Sequence, residues 1–288
     1  MATSTRARSD RYPSRIVCLT EETTETLYLL EEDWRIVGIS GFTVRPPRAR
    51  REKPKVSAFT SAKVDRIRDL RPDLVLGFSD LQADIAADLV RHGLNVHIFN
   101  HRDIAGIFGM IGILGGMIGC EAKATQLCER LAANLEGIRA SAAQFTVRPR
   151  VYFEEWDEPM ISGIHWVSEL IEAAGGIDVF PELATRKNAK DRIVTAEQVI
   201  AGKPDIIIGS WCGKKFVPAR VVARPGFAQI PAVRTGFLRE IKSTIILQPG
   251  PAALTDGLDA LMAIVQEWVE AKAAGVLESR PQLKDNVA

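Results

Sequence analysis

Aromatic and polar side chains follow several short apolar runs of this sequence. "FSD" (Phe78–Asp80), "NHRD" (Asn100–Asp103) and "SWCGKKF" (Ser210–Phe216) each stand at the end of such a run. Continuous apolar runs are typical of strands that are buried in a parallel sheet, and ligands bind at the carboxyl edge of such sheets. The chemistry that these residues indicate is non-covalent binding of a flat, apolar ligand with a few polar groups.

The candidate ligand contacts share one property: each lies at or near the end of a predicted strand, or opens the helix that follows. They are Glu21, Phe42, Phe59, Phe78, Ser79, His101, Glu155, Trp156, Trp166, Trp211, Cys212 and Phe237. An aromatic residue at a strand end often covers a core instead, so both interpretations stay open for each residue. The matching positions of Phe78 and Trp211 favour ligand contact for this pair.

Three histidines, His97, His101 and His165, suggest a metal ion as an alternative ligand. A bare Zn²⁺ or Mn²⁺ site needs three or four N or O ligands that converge. His97 and His101 lie on either side of a strand end, so their rings need not share a face, and His97 is more typical of a packed strand residue. We therefore predict no resident metal and no intrinsic cofactor, with a divalent-metal binding protein as an alternative function.

Carboxylates are dense in "EEWDEP" (Glu154–Pro159), and a glycosidase could use a pair of them. The sequence offers no matching second acid, and the G-x-S-x-G, P-loop and G-x-G-x-x-G motifs are missing from it. We therefore predict no catalytic residues and no enzyme activity. An enzyme of cofactor metabolism that uses the same site is the remaining catalytic alternative.

Two charged segments are assigned structural roles. Glu21, Glu22 and Glu25 precede or open a predicted helix, with Thr23 or Thr24 as its N-cap, where carboxylates offset the helix dipole. The basic segment Val44–Lys55 is predicted to be a solvated loop. Its position also allows it to border the ligand site and meet a ligand carboxylate or phosphate.

The elements that position these residues occur twice along the chain. "LRPDLVLGF" (Leu70–Phe78) and "GKPDIIIGS" (Gly202–Ser210) each place Pro-Asp before an apolar run. A helix and a further short strand follow each copy, "LNVHIF" (94–99) in the first and "AQIPAV" (228–233) in the second. This repetition predicts an α/β fold of two similar lobes with mostly parallel sheets, joined by a long linker helix.

The predicted boundaries follow from this repeat. They are an N-terminal lobe at 15–103, a linker helix at 104–146, a C-terminal lobe with a closing helix at 147–274, and flexible tails at 1–14 and 275–288. Glycines within Gly112–Gly119 interrupt the helical spacing of the linker, so it is either one bent helix or two helices. A helical connector favours small movements, and the ligand is expected in the cleft between the lobes.

Bulk composition limits the partners. The chain has 288 residues, 46% of them hydrophobic, and a net charge of +1, which fits a globular protein without affinity for nucleic acid. No run is apolar enough for a membrane span. The polar first residues do not read as a signal peptide, so we expect a cytoplasmic protein as written, or a periplasmic one if an export segment preceded it. Four cysteines without a C-x-x-C pair fit a reducing compartment.

Two segments resemble a known family. "RPDLVLGFSD" (Arg71–Asp80) and "SGIHWVSELIEAAGG" (Ser162–Gly176) followed by "IDVF" are similar to the substrate-binding proteins of cobalamin and iron-siderophore ABC importers, especially the vitamin B12-binding branch. Ile164 and Ser168 depart from the family pattern. The resemblance extends from about Arg15 to Trp268, and it implies two α/β lobes joined by one long helix.

The resemblance also implies a function and a partner. The protein would be a non-catalytic binding protein that holds a metal chelate, either corrinoid (cobalamin-like) or siderophore-like. Relatives dock on an ABC permease through an acidic residue of each lobe. Asp80 or Asp84 could serve in the first lobe, whereas the matching segment of the second is basic and lacks an acid.

Overall fold

The computed structural model describes residues 11–278, in which the chain forms two compact units. Unit 1 extends to Ala133 and also includes Gln248–Ala252, and unit 2 comprises Asn134–Leu247 and the residues from Ala253 onward. The boundary at Ala133 falls within the stretch 104–146 that was predicted as the linker, and the exact domain limits stay predictions. Residues 1–10 and 279–288 of the predicted tails lie outside the described residues.

Unit 1 is built on a six-stranded sheet. Its strands are β1 (Ile16–Cys18), β2 (Ile36–Ser40), β3 (Lys55–Ala58), β4 (Ser61–Ala62), β5 (Leu74–Phe78) and β6 (Val96–Phe99). They are ordered β4-β3-β2-β1-β5-β6, and every neighbouring pair is parallel except the β3–β4 hairpin. All five residues of β5 are buried, as its continuous apolar run predicts.

Helices connect these strands. They are α1 (Glu21–Leu29), α2 (Ala49–Glu52), α3 (Val64–Asp69), α4 (Ala83–Arg91), α5 (Ile104–Met117) and α6 (Glu121–Ala142). Of the two interpretations of the linker stretch, two helices is the observed one, because the chain breaks between α5 and α6 at Gly119, where φ is +70°. The boundary between the two units lies within α6.

Unit 2 has a five-stranded sheet made of β7 (Arg150–Asp157), β8 (Met160–Ser162), β9 (Ile177–Asp178), β10 (Ile206–Gly209) and β11 (Leu238–Glu240). Its main order is β11-β10-β7-β8, with β9 also paired to β7. Only the β7–β8 pair is antiparallel. The predicted α/β fold with mostly parallel sheets is therefore confirmed.

The helices of unit 2 after α6 are α7 (His165–Ala173), α8 (Pro181–Ala184), α9 (Ala196–Gly202), α10 (Pro218–Val222), α11 (Pro231–Thr235), α12 (Ser243–Ile246) and α13 (Asp256–Ala273). The strand predicted at "AQIPAV" is wrong. A 3₁₀ turn and the start of α11 occupy this segment, with Pro231 as the first helical residue, where its missing N–H costs nothing. Besides β7, the strand that pairs with β10 is β11, a few residues later.

Candidate functional site

The carboxyl edge of the unit 1 sheet buries three glutamates of α1. Glu21, Glu22 and Glu25 are 8%, 1% and 7% exposed. Burial raises the pKa of Glu21 to about 7 and that of Glu22 to about 8, although the Thr20 hydroxyl donates to Glu22. Glu21 and Glu22 stand in the first turn of the helix, where they were predicted to offset its dipole, but they are buried there.

The start of α1 also differs from the predicted cap. Thr20 is the N-cap residue of α1. The hydroxyls of Thr23 and Thr24, which were the predicted caps, donate to the Thr20 carbonyl oxygen at 3.3 and 3.2 Å instead. Because the helix begins at Glu21, its acidic residues enter the interior of unit 1 rather than the solvent.

Phe78 and His101 contact each other at the ends of β5 and β6. Their ring centroids are 5.2 Å apart in an edge-to-face arrangement, and the Arg102 guanidinium lies 4.9 Å from the Phe78 centroid. Arg102 also pairs with Asp80 at 2.9 Å. Phe78 is only 6% exposed, so its ring belongs to a packed cluster in this structure.

His101 uses one ring nitrogen within unit 1. Its Nε2 lies 2.8 Å from the Pro249 carbonyl oxygen, and burial lowers its pKa, an effect that the carbonyl partly offsets. Gly106 makes room for this ring, since a Cβ there would overlap the Cβ of His101. His97 packs edge-to-face on Phe99 at 4.4 Å, as expected for a strand residue.

Three further candidates of unit 1 lie at the same edge with different exposure. Phe42, which follows β2, is 56% exposed. Phe59 occupies the turn of the β3–β4 hairpin and is half-buried, with its carbonyl accepting from Gln82 Nε2 at 2.8 Å. Ser79 is buried, and its hydroxyl accepts from the Leu81 N–H at 3.2 Å. Phe42 is therefore the most accessible of the candidates in unit 1.

The basic segment Val44–Lys55 is largely exposed, as the first interpretation has it, but it contains α2 and is tied to unit 1 by several contacts. Arg45 pairs with Glu25 at 2.8 Å. Arg50 donates to the Gly41 and Thr43 carbonyl oxygens at 2.7 and 2.9 Å. These contacts satisfy cations that were considered for a ligand carboxylate.

In unit 2, Glu154 is the centre of a buried polar cluster that the sequence did not reveal. It is fully buried, and Arg224 binds both of its carboxylate oxygens at 2.5 and 2.9 Å. Trp211 Nε1 and the Tyr152 hydroxyl donate to it at 2.9 and 3.0 Å. Burial costs that would destabilise the Glu154 charge are thus offset by four donors.

Trp211 belongs to this cluster and to the core of unit 2. It is 2% exposed and packs edge-to-face on Phe216 at 5.0 Å. Of the two interpretations left open for Trp211, the structure favours the core. Cys212, the next residue, is exposed.

The segment "EEWDEP" forms the end of β7 and the β7–β8 hairpin turn, not a loop after a strand. Trp156 lies within β7, and the Lys214 ammonium sits 3.9 Å above its ring. Lys214 also pairs with Asp157, while Arg220 Nη1 lies 3.0 Å from Asp157 Oδ2. Burial alone would raise the pKa of Asp157, but Lys214 and then Arg220 hold it below its usual value.

The remaining candidates of unit 2 either contact other residues of the unit or lie away from the carboxyl edge of its sheet. Glu155 pairs at 2.6 Å with Arg192, which is 1% exposed. Trp166 is buried and donates to the Ile246 carbonyl oxygen at 2.8 Å. Phe237 precedes β11 at the amino edge of the parallel sheet, so its expected position after a strand is wrong.

The structure brings together no set of metal ligands in its described part. Residues 11–278 contain no group of three or more His, Cys, Asp or Glu side chains arranged to hold a metal ion. None of the four cysteines, all of which lie in the described part, forms a disulfide. Across the same residues, every helix is too short or too polar to cross a membrane.

The fold and the residues at the sheet edges agree with one class of protein. Residues 16–244 match the family model described as "Periplasmic binding protein", so the chain belongs to this family. Its members are binding proteins and not enzymes, which agrees with the predicted absence of catalysis.

The individual relatives share only low sequence identity with this chain. The chain is 25% identical over 259 residues to the "Cobalamin-binding protein" of Halobacterium salinarum, an alignment that covers 87% of this chain and 69% of the relative. It is 24% identical over 268 residues to the "Uncharacterized ABC transporter substrate-binding lipoprotein YvrC" of Bacillus subtilis, with 86% and 79% covered. The structure of the periplasmic heme-binding protein RhuT from Roseiflexus sp. RS-1 superposes with a TM-score of 0.75 at 23% identity, with 88% and 99% covered. These relatives give no support to the expected cytoplasmic location.

Proposed function

We propose that this protein binds a metal-chelate ligand of the corrinoid type and presents it to an ABC permease. The observation that carries this proposal is the similarity to a cobalamin-binding protein along 87% of the chain. The family of binding proteins and the position of aromatic residues at the carboxyl edges of both sheets support it. The lipoprotein relative YvrC supports a permease partner and a location outside the cytoplasmic membrane.

Phe42 is the proposed residue that makes first contact with the ligand in unit 1. It follows β2 at the carboxyl edge and is 56% exposed, so its ring can bury apolar area on binding without repacking the core. At about 25 cal/mol per Å² of apolar area, one aromatic ring contributes on the order of 1–3 kcal/mol to affinity before ordering costs. The buried Phe78 and Trp211 would need to change their packing to do the same.

A titration with coloured chelates tests this function. Cyanocobalamin, hemin and a ferric hydroxamate siderophore are each added to the protein, and saturable binding is followed by visible absorption and calorimetry. Stoichiometric binding of cyanocobalamin is expected. Binding of hemin or the siderophore alone would overturn the corrinoid assignment, and stoichiometric Zn²⁺ or Mn²⁺ binding without any chelate would overturn the function as a whole.

Two exposed aromatic residues of unit 1 supply a matched pair of variants. F42A should weaken cyanocobalamin binding roughly 5- to 150-fold, which corresponds to about 1–3 kcal/mol. W34A is the control, because Trp34 is similarly exposed at 53% but follows α1 and precedes β2, away from the carboxyl edge. Equal affinities of the two variants would argue against the proposed contact.

A further inference from the structure

Five residues late in the chain belong to unit 1, although their neighbours on both sides belong to unit 2. We name Gln248–Ala252 the strap. Just before it, the Ile246 carbonyl oxygen accepts from Trp166, and just after it, the Leu254 carbonyl oxygen accepts from Asn134, at 2.8 and 2.9 Å. The strap is thus a short segment of unit 1 that lies between two segments of unit 2 along the chain.

Three contacts hold the strap on unit 1. His101 Nε2 lies 2.8 Å from the Pro249 carbonyl oxygen, and the Ala252 N–H donates to Glu25 Oε2 at 3.1 Å. Between these contacts Gly250 lies directly on the first turn of α1, where a Cβ would be 2.6 Å from the Cβ of Glu22. Only glycine fits this position without displacement of the helix or the strap.

The three glutamates below the strap differ in whether a positively charged side chain pairs with them. Glu25 pairs with Arg45 at 2.8 Å. Among the residues that the structure describes, no ion pair includes Glu21 or Glu22, and burial raises their pKa values to about 7 and about 8. Both groups are therefore largely neutral in mildly acidic solution and become charged in alkaline solution.

Other titratable groups near the strap do not compensate the charges that Glu21 and Glu22 would carry when ionised. The Cys18 thiol from β1 stays neutral, since burial raises its pKa to about 12, and Lys53 acts on that thiol from the end of α2. Arg102 and Asp103 lie beside His101 and oppose each other in their effect on its pKa. The strap itself contains no charged side chain. Ionised Glu21 and Glu22 would thus repel each other and Glu25 at positions that are buried from solvent.

We propose that the strap is a clasp that rests on unit 1 while Glu21 and Glu22 are neutral and detaches when they ionise. Detachment releases the Ala252 N–H from Glu25 and frees Nε2 of His101. His101 is one of the predicted ligand contacts, so a ligand and the strap would compete for the same nitrogen. The competition between ligand and strap rests on the proposed function, whereas the pH-dependent detachment of the strap does not.

Amide hydrogen exchange of the whole protein, resolved by NMR without ligand, tests whether the strap detaches as the pH rises. The amides of Gly250 and Ala252 are followed from pH 6 to pH 9.5, and each rate is divided by its intrinsic rate at that pH. Protection should fall by up to about tenfold per pH unit for each group while the pH is below that group's raised pKa of about 7 or about 8, and it should level off above about pH 8. The Ser210 amide, which donates to the Glu154 carbonyl oxygen in unit 2, should keep its protection and serves as internal control.

Variants separate ionisation from general loosening. E22Q and E21Q should each lose less protection than the unmodified protein between pH 6 and pH 8, because each variant keeps only one of the two ionising groups. G250A should lose protection at all pH values, because its Cβ meets Glu22 whatever the charge. Constant protection of Gly250 and Ala252 up to pH 9.5 in the unmodified protein would overturn the proposal, as would the same loss in E22Q and E21Q. If E22Q does not fold, the unmodified protein and E21Q still decide the question.

Discussion

Asp73 and Arg15 bind each other through two hydrogen bonds at the amino edge of the unit 1 sheet. The Asp73 carboxylate accepts from the Arg15 N–H, and the Asp73 N–H donates to the Arg15 carbonyl oxygen, both at 2.9 Å. In addition, the Arg15 side chain donates from Nε to the Leu70 carbonyl oxygen at 3.1 Å. The pair therefore fixes the start of β1 to the start of β5.

Unit 2 repeats this arrangement with Asp205 and Arg150. The Asp205 carboxylate accepts from the Arg150 N–H at 2.9 Å, and the Asp205 N–H donates to the Arg150 carbonyl oxygen at 2.8 Å. Arg150 Nε donates to the Gly202 carbonyl oxygen at 2.7 Å, three residues before Asp205, just as Leu70 stands three residues before Asp73. The repeated Pro-Asp thus anchors neighbouring parallel strands, and it lies at the opposite edge from the candidate ligand contacts.

The two aspartates should differ in their contribution to stability. Asp73 accepts three hydrogen bonds, from the N–H and hydroxyl of Ser14 and from the Arg15 N–H, whereas Asp205 accepts one. At roughly 1 kcal/mol for each hydrogen bond, D73A should lower the free energy of unfolding by about 2–3 kcal/mol and D205A by about 1 kcal/mol. Urea unfolding measures both, with D65A at an exposed position as control. An equal or larger loss in D205A would contradict this account.

The apolar runs of the sequence predicted β5 and β10 well because burial on both faces leaves a continuous apolar pattern. The glycine near the end of each run was a further signal. A Cβ at Gly77 would be 2.6 Å from Gln82 Oε1, and one at Gly209 would overlap the Phe216 ring. The same rule failed at residues 228–233. Gly226, just before this segment, has a φ of +78°, and Pro231 within it starts a helix, so local backbone preferences outweighed the apolar content.

Buried charges were the least predictable part of the candidate site. Glu154 and Arg224 are 70 residues apart, and Glu155 and Arg192 are 37 apart, so no local pattern connects the partners. Without its partner a charged residue is expected at the surface. For the same reason the sequence did not reveal that Glu155 pairs with Arg192 or that Trp211 donates to Glu154.

The buried Glu154–Arg224 pair should be essential to unit 2. E154Q would leave the Arg224 guanidinium without its charged partner, and breaking such a pair costs about 3–5 kcal/mol. The double variant E154Q/R224M should recover part of this loss, since it removes the unpaired charge. E136Q is the control for an exposed pair with Arg139, and it should change stability by less than about 0.5 kcal/mol. If E154Q unfolds no more easily than E136Q, the pair has no structural role.

Trp211 offers a direct comparison of core and ligand roles. W211A should reduce the free energy of unfolding by about 3–5 kcal/mol, because it removes a ring that is 2% exposed and a hydrogen bond to Glu154. The folded fraction should bind cyanocobalamin with unchanged affinity. Thermal unfolding and calorimetry on the same sample measure both quantities, with W34A as the exposed control. An unchanged melting temperature together with weaker binding would assign Trp211 to the ligand site instead.

The buried glutamates of α1 should make global stability fall as the pH rises. Folding raises the pKa of Glu21 from 4.5 to about 7 and that of Glu22 from 4.5 to about 8, so the folded state holds more protons than the unfolded state between these values. Their stabilising protonation is complete below about pH 4.5 and is lost as the pH rises through 7 and 8. Within this window each group changes the free energy of unfolding by about 1.4 kcal/mol per pH unit at most.

Urea unfolding at intervals between pH 5 and pH 8.5 measures this slope. The unmodified protein should lose stability across the range, and E22Q should lose distinctly less, because its amide cannot ionise. E52Q is a suitable control, since Glu52 also lies in unit 1 and accepts a hydrogen bond from Tyr28 at 2.9 Å, but from a helix at the surface. E52Q should keep the slope of the unmodified protein. Parallel curves for E22Q and the unmodified protein would show that Glu22 is ionised in the folded state, and they would remove the electrostatic basis for the detachment of the strap.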